Sequence, residues 1–400
     1  ALPIFLMKHS LEQVSEMARS CLGLAGVLAQ KPFPPEIIAA ALAISPEDTN
    51  NGLGELVEFG LLMRPKVSYQ VTHALAHTYA RSELAPESSA LSRLAENLND
   101  LIRKQTPEGL AGYALLDSVR DHILAVQAAC QKAEMWENVR TLTWAIRDYL
   151  HLQGHWVEEV AVLQTGLAAA VSAESHYDEA SFLNFLGLAC VALGDARQAI
   201  DYYEQALPIS RKMGKRQGEG AVLGNLGIAY KSLGETRKAI AYSEQALAIT
   251  CEIGDRRGEG SAMGSLGLAY AELGEPRKAI YYHEQYLAIA REIGDRRGEG
   301  NALGNLGNAY AYMGETRKAM EYYKQALAID RKVGDRRGEG NALRNLGLAY
   351  ADLGETRKAV AYFEQYLAIS REIGDRWGEN NALWNIYRNE KSWMIEINWL

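Results

Sequence analysis

The string GDRRGEG stands at 254–260, again at 294–300 and again at 334–340, with the variants GKRQGEG at 214–220 and GDRWGEN at 374–380. Between these strings runs a second one, LGxAYxxxGExRKA, at Leu226–Ala239, Leu266–Ala279, Leu306–Ala319 and Leu346–Ala359. Both return every 40 residues from about 180 to 380. A fixed period of about 20 to 50 residues marks an array of one supersecondary unit, stacked so that neighbours bury each other's apolar faces. Such arrays present extended surfaces to other molecules and seldom enclose a catalytic pocket. The expected fold is an all-α solenoid, a right-handed superhelix of five helix pairs over 179–378, without strands.

Within one unit the spacing predicts two amphipathic helices, from Gly258 to Leu273 and from Pro276 to Ile293. Met263, Leu266, Ala269 and Tyr270 form the apolar stripe of the first, and Ala279, Ile280, Tyr282, Tyr286 and Leu287 that of the second. Gly234, Gly274, Gly314 and Gly354 fall where the first helix must stop, and glycine accepts the left-handed cap there without a steric penalty. Pro276 fits only in the first turn of the second helix. Asp255 and its repeats are placed to cap the next first helix. Gly227, Gly267, Gly307 and Gly347 are expected to face Ala239, Ala279, Ala319 and Ala359 where the two helices cross. Mid-helix glycine costs about 1 kcal/mol against alanine, so its return in every unit points to close packing.

The pattern Leu-Gly-x-x-Tyr, then Gly, then Ala resembles the tetratricopeptide repeat, whose usual period is 34 residues. The 40-residue form is similar to the repeats of kinesin light chains and Leu-Gly-Asn-type scaffolds. An earlier unit keeps the register at Leu186, Gly187, Gly194, Ala199, Tyr202 and Tyr203, with Cys190 in place of tyrosine. Gly154, Val160 and Leu167 match weakly one period before, where Arg147 and Glu159 break the small-residue code. Beyond Asn380 the pattern decays, with Tyr387 for the packing glycine and Met394 for the turn glycine. Residues 379–400, with Trp384, Trp393 and Trp399, read as a cap or a truncated repeat.

Residues 11–85 follow another grammar. Helices are expected from Leu11 to Ala29, from Pro34-Pro35 to Leu42, and from Ser45-Pro46 to Phe59. GLLMRPKVSYQV then reads as two short strands turning at Arg64-Pro65, and a further helix begins near Thr72. This order makes a winged helix. Leu22, Leu24, Leu28, Ile37, Ile38, Leu42, Leu56, Leu62, Tyr69 and Val71 are its expected core. The string from Leu22 to Leu62 resembles the winged-helix module of bacterial signal-transduction NTPases of the NB-ARC type. In that family a Met-His-Asp motif ends the module and its histidine touches bound nucleotide. Val71-Thr72-His73-Ala74 falls at the matching place, so the resemblance gives His73 that role, with Ala74 departing from the Asp. Residues 86–178 resemble the family's helical bridge and include the degenerate repeat-like pair. Residues 1–10 read as residual linker.

Net charge is −8. A general nucleic-acid binder needs a basic face. The third helix carries Glu47, Asp48, Glu55 and Glu58 and no basic residue, which sets it against a phosphate backbone. No GxxxxGK[ST] loop occurs, so no cofactor is expected in this chain, and ADP or ATP belongs to the parent protein that the resemblance implies. Cys21, Cys130, Cys190 and Cys251 lack metal-ligand spacing and read as reduced, buried side chains. His151 and His155 flank Gly154 at a helix end and lack an HExxH context, so no metal site is expected. No apolar run reaches membrane-span length and no signal peptide is present, which points to the cytoplasm and away from a membrane. The chain opens at ALPIF, which reads as an excised fragment.

The candidate functional residues lie on the first helix of each unit. Asn225, Ser265, Asn305, Asn345 and Asn385 recur at one register, and Ala221, Ser261, Asn301, Asn341 and Asn381 stand four residues earlier on the same face. The family resemblance puts this helix on the concave wall. An amide ladder there can donate to and accept from an extended peptide backbone, or it can brace neighbouring helices. Asn308, Tyr312, Arg344 and Trp384 vary on the same wall. The tyrosines at 202, 242, 282, 322 and 362 read as inter-helix packing. Arg256-Arg257 and their repeats, followed by Glu259, Glu299 and Glu339, read as a solvated ion-pair edge. The expectation is a non-enzymatic module that binds a protein or peptide in its concave groove, as the sensor of a signalling NTPase. A free-standing scaffold and a winged-helix transcription regulator are the alternatives, and self-association stays open.

Overall fold

The computed structural model describes residues 9–397, and the side chains of 392–397 lie outside what is described. The readings of Trp393, Met394 and Trp399 fall there. The chain divides into two compact units, residues 1–209 and 210–400.

After a helical stretch at 9–13, the first unit has three helices, α1 (Glu16–Val27), α2 (Pro35–Leu42) and α3 (Pro46–Glu58). Each start obeys local chemistry. Ser15 caps α1 through the Ala18 N–H, which is why that helix begins at Glu16 and not at Leu11. Pro35 and Pro46 occupy first turns, and Ser45 caps α3 through Asp48 N–H. Strands β1 (Leu62–Met63) and β2 (Gln70–Val71) pair antiparallel, Leu62 opposite Val71. A further antiparallel bridge joins Phe33 to Tyr69. Helix α4 (Ala74–Glu83) follows, then α5 (Ser88–Gln105) and α6 (Leu110–Lys132).

Of the ten expected core residues, Ile37 and Leu42 are half-buried at the rim and the other eight are buried. Their core is not a separate one. It runs on without a break through α5 and α6 to Ala169. His122 on α6 ties the two parts together, accepting from Ala29 N–H (3.2 Å) and bonding Pro32 O (3.0 Å). Then come α7 (Trp136–Leu152) with α8 (Trp156–Ser172), and α9 (His176–Ala192) with α10 (Ala196–Lys212). The weak match around Gly154 is thus a complete helix pair in the 40-residue register, with Gly154 at φ 75° in its turn.

The second unit repeats that pair: α11 (Arg216–Ser232) with α12 (Thr236–Ile253), α13 (Arg256–Glu272) with α14 (Pro276–Glu292), α15 (Arg296–Tyr312) with α16 (Thr316–Val333), and α17 (Arg336–Asp352) with α18 (Thr356–Glu372). No strand interrupts them among the described residues. Gly234, Gly274, Gly314 and Gly354 sit at φ 75, 74, 77 and 74°. Asp255, Asp295, Asp335 and Asp375 accept from the N–H three residues on, each at 2.8 or 2.9 Å. The last helix, α19 (Arg376–Ile397), runs longer than its siblings because no glycine stands at 394 to stop it.

Packing corrects one expectation. A Cβ at Gly227 would lie 3.2 Å from Ala239 O, as expected, but the alanine is not the nearest neighbour of any of the four mid-helix glycines. These glycines face the residue one turn further along the second helix. A Cβ at Gly307 would lie 2.4 Å from the Tyr323 ring, at Gly347 2.6 Å from Phe363, and at Gly267 2.4 Å from the His283 ring. Each glycine is the floor under a buried side chain. The tyrosine stripe packs as expected. Tyr270 stacks on Tyr282 (5.5 Å) and Tyr310 on Tyr322 (5.4 Å), with Tyr230–Tyr242 and Tyr350–Tyr362 alike.

Candidate peptide-binding cleft

Neighbouring first helices α11, α13, α15 and α17 touch one another along the second unit. They make one wall, and residues on their open face line it. Between α15 and α17 this wall opens into a cleft of about 220 Å³. It is lined by Asn301, Asn305 and Asn308 from α15, by Asn341, Arg344 and Asn345 from α17, and by Tyr323 and Asp330 from α16. Six of the expected wall residues therefore converge on one place.

A hydrogen-bond chain fixes part of it. Tyr323 OH donates to Asn308 Oδ1 at 2.9 Å, and Asn345 Nδ2 donates to the same oxygen at 3.0 Å. Arg344 Nη2 reaches Asn345 Oδ1 at 3.4 Å. Burial pushes the Tyr323 hydroxyl up to about 12, so it remains a donor at neutral pH. Asn308 and Asn345 thus brace adjacent helices while they form the wall. Arg344 Nε is buried without a partner, and its guanidinium lies 5.9 Å from the Trp377 ring.

The remaining expected residues lie outside this cleft. Asn225 holds the same register on α11 and is half-buried. Tyr312 is exposed at the end of α15, and Trp384 is exposed and tilted against Tyr387 at 6.3 Å. Asn385 is buried, a correction to its place on the open wall: its Nδ2 turns back to Asn381 O (2.8 Å) and Oδ1 (3.2 Å) within α19. His73 is exposed and caps α4, its Nδ1 accepting from Leu75 N–H at 3.1 Å.

Two cleft residues escaped the sequence reading because they sit on the second helix. Tyr323 shares its register with Tyr203, Ser243, His283 and Phe363, and Asp330 with Ser210, Thr250, Ala290 and Ser370. Comparison down these columns exposes both.

The ion pairs at the junctions between helix pairs are regular. Glu299 takes Arg291 Nε (2.8 Å) and Arg296 Nη1 (2.5 Å), and Glu219 takes Arg211 (2.9 Å) and Arg216 (2.6 Å). Arg331 and Arg336 hold Glu339 in the same way. At 251 a cysteine replaces the first arginine of this clamp. Cys251 is accordingly exposed, unlike the other three, which are buried. His151 and His155 turn to separate partners, Glu159 at 3.0 Å and Asp117 at 3.3 Å.

A family model for the tetratricopeptide repeat matches residues 178–252, 218–292, 260–332 and 298–372. Residues 178–372 are tetratricopeptide repeats. A search of curated proteins returns no match. Among solved structures, the chain is similar to a Signal Transduction ATPase with Numerous Domains with a tetratricopeptide repeat sensor, from Pyrococcus horikoshii. The TM-score is 0.50 and the identity 17%, covering 98% of this chain and 66% of that one. The chain thus spans just under two thirds of that protein's length. The apo quorum sensor NprR from B. thuringiensis aligns with TM-score 0.50 at 15% identity, covering 74% of this chain and 82% of that chain. At such identities the likeness is one of fold. Among the described residues, no helix is long and apolar enough to cross a membrane. The repeats supply a wall of amides and one arginine, with no cluster of metal ligands among the described residues.

Proposed function

We propose that the tetratricopeptide repeats of the second unit bind an extended peptide segment along the wall of first helices, and that the cleft between α15 and α17 is the centre of that site. The observation that carries the reading is the convergence of Asn301, Asn305, Asn341 and Asn345 on one cleft. Amides there donate to and accept from a peptide backbone without regard to its side chains. One net hydrogen bond is worth about 1 kcal/mol, so several must act in series. The module is a binding sensor or scaffold and not an enzyme. A fixed brace through Tyr323 and Asn308 keeps the wall preorganised, which lowers the ordering cost of binding.

We further propose that residues 11–85 form the winged helix of an NB-ARC-type signalling NTPase whose nucleotide-binding core lies upstream in the parent protein. The three helices with a two-stranded hairpin support this reading. Exposed Glu47, Asp48 and Glu58 on α3 disfavour contact with DNA, and Glu55 is engaged with Ser15 N (2.8 Å) and Oγ (2.5 Å). His73, exposed at the start of α4, is available to a nucleotide held elsewhere in the parent. A P-loop in the reading frame preceding this segment is the expected finding, and its absence there would remove the NTPase assignment.

The peptide reading is tested with a dodecapeptide library screened against the full chain. The selected peptide is then titrated against the triple variant Asn305→Ala, Asn341→Ala, Asn345→Ala. Affinity should fall at least tenfold with helix content intact. Equal affinity would mean that the amides only brace the repeats.

A further inference from the structure

One position on the second helices stands apart from its repeats. Where Ser210, Thr250, Ala290 and Ser370 stand in the sibling repeats, the third pair of the second unit carries Asp330. Asp330 is a buried residue, at 6% exposure, and it lines the cleft. It is closely enclosed: a Cβ at Gly300 would lie 2.6 Å from Oδ1, and one at Gly338 2.8 Å from the carboxyl carbon. Yet neither oxygen has a hydrogen-bond or ion-pair partner among the described residues. What acts on the group is burial and then the charges of Asp335 and Glu339, which together push it up to about 6. The adjacent Arg331 is no help, because it is taken by Glu339 at 2.8 Å. A buried carboxylate without a counter-charge is costly, and no sibling repeat has one at this register.

Arg344 is the second singular residue. Gly224, Gly264 and Gly304 hold its place in the three preceding pairs, with Asn184 before them and Trp384 on α19. Its Nε is buried and unpartnered, and its guanidinium makes no ion pair among the described residues. Asp330 and Arg344 line the same cleft without pairing to each other. Along α17, the step from Gly338, beside Asp330, to Arg344 is six residues, which is about 9 Å. Opposite charges held apart in one cleft are both available to a ligand that carries both signs.

We propose that this cleft is a subsite for a charged peptide segment: Asp330 accepts a lysine or arginine side chain of the bound peptide, and Arg344 holds a carboxylate of the same peptide. The inference rests on the peptide-binding reading of the wall and names the residue types it selects. The backbone amides supply affinity without discrimination, and these two charges supply the discrimination. A bidentate arginine–carboxylate pair is directional as well as strong. The cation meets a carboxylate that the fold has partly desolvated, so binding completes a pair that the free protein leaves open.

A positional-scanning dodecapeptide library, read by fluorescence polarisation against the full chain, tests this. The wild type should enrich Lys or Arg at one position and Asp or Glu at another. Asp330→Ser should lower the basic preference at least tenfold and leave the acidic preference in place. Arg344→Ala should do the reverse. Ser210 and Ser370 show that serine fits this register, and Asp330→Asn, nearly isosteric, serves as a second variant should the serine change disturb folding. Peptides selected without a charge preference, or a basic preference that survives both Asp330 variants, would overturn this inference while leaving the backbone-binding wall standing. A library from which no peptide is enriched would overturn both.

Discussion

Each first helix of the second unit has two faces, and they behave oppositely. The face turned to the second helix is nearly invariant from pair to pair: Leu226, Leu266, Leu306 and Leu346, then Gly227, Gly267, Gly307 and Gly347, then the stacked tyrosines. The open face changes along the array, from Ala221, Gly224 and Asn225 to Ser261, Gly264 and Ser265, then to Asn301, Gly304 and Asn305, and then to Asn341, Arg344 and Asn345. Constancy goes with contact inside the pair, where a methylene more or less is felt. Variation goes with the face turned to the cleft, where contacts within the chain are fewer and differ from pair to pair. Repetition within one chain therefore separates the residues that build the array from those that give it an identity.

The contrast can be broken most severely on the closed face. Gly307→Val would drive a side chain into the Tyr323 ring, since even a Cβ there lies at 2.4 Å. The expected loss is about 3 kcal/mol, the upper part of the overpacking range, read as a lower denaturant midpoint. If stability held, the glycine floor under Tyr323 would not be what sets the approach of α15 and α16.

His283 gives the closed face a pH signature. It is buried over Gly267, its Nδ1 has no partner, and burial lowers its pKa to about 4. The folded state therefore resists protonation that the unfolded chain accepts near 6.5. Stability should be complete above that value and fall as pH drops from 6.5 to about 4, by roughly 3 kcal/mol. His283→Phe, which copies Phe363 at the same register, should remove this slope. Identical acid unfolding of the two proteins would assign the sensitivity elsewhere.

Asp330 should slope the other way. Its carboxyl is raised to about 6 in the fold, so its charge weakens the folded state above that pH, and the penalty is relieved as pH falls towards the unfolded value near 3.9. Asp330→Ser should raise stability at pH 7.5 by on the order of 2 kcal/mol, with the gain vanishing near pH 4. A variant less stable than wild type at pH 7.5 would mean that Asp330 has a partner within the fold.

The smallest effect is expected on the open face of the same helix as Gly307. Nothing lies within 4 Å of a Cβ at Gly304. Gly304→Ala should stabilise by roughly 0.5–1 kcal/mol through helix propensity alone, measured by thermal melting. A loss there would show that the wall at Gly304 is closed.

Much of this architecture was legible because helix stops and starts are local chemistry. Gly274, Pro276 and Asp255 each impose a backbone state on their own few residues, so their order gives the pairs directly. The crossing of two helices is not local. The small residues Gly267 and Ala279 announced a close approach, but which of them meets what depends on the crossing register, and the glycine turned out to receive His283. The continuity of the first unit's core through His122 was illegible for the same reason: contacts across about 90 residues leave no period. For the cleft, Asn301, Asn305, Asn341 and Arg344 were visible as a ladder on one helix face. Asp330 and Tyr323 come from the partner helix and enter only when α16 is folded against α15. Asn385 bonds back along α19, an alternative always open to an asparagine.

The most direct measurement of the central claim is a cross-link. A library-selected peptide carrying a benzophenone is photolysed on the full chain and the adduct is located by mass spectrometry. The account predicts adducts on α15 and α17, around residues 301–308 and 341–345, that are lost in the triple asparagine variant. Adducts confined to the ion-pair edge, near Arg296 or Arg336, would contradict it.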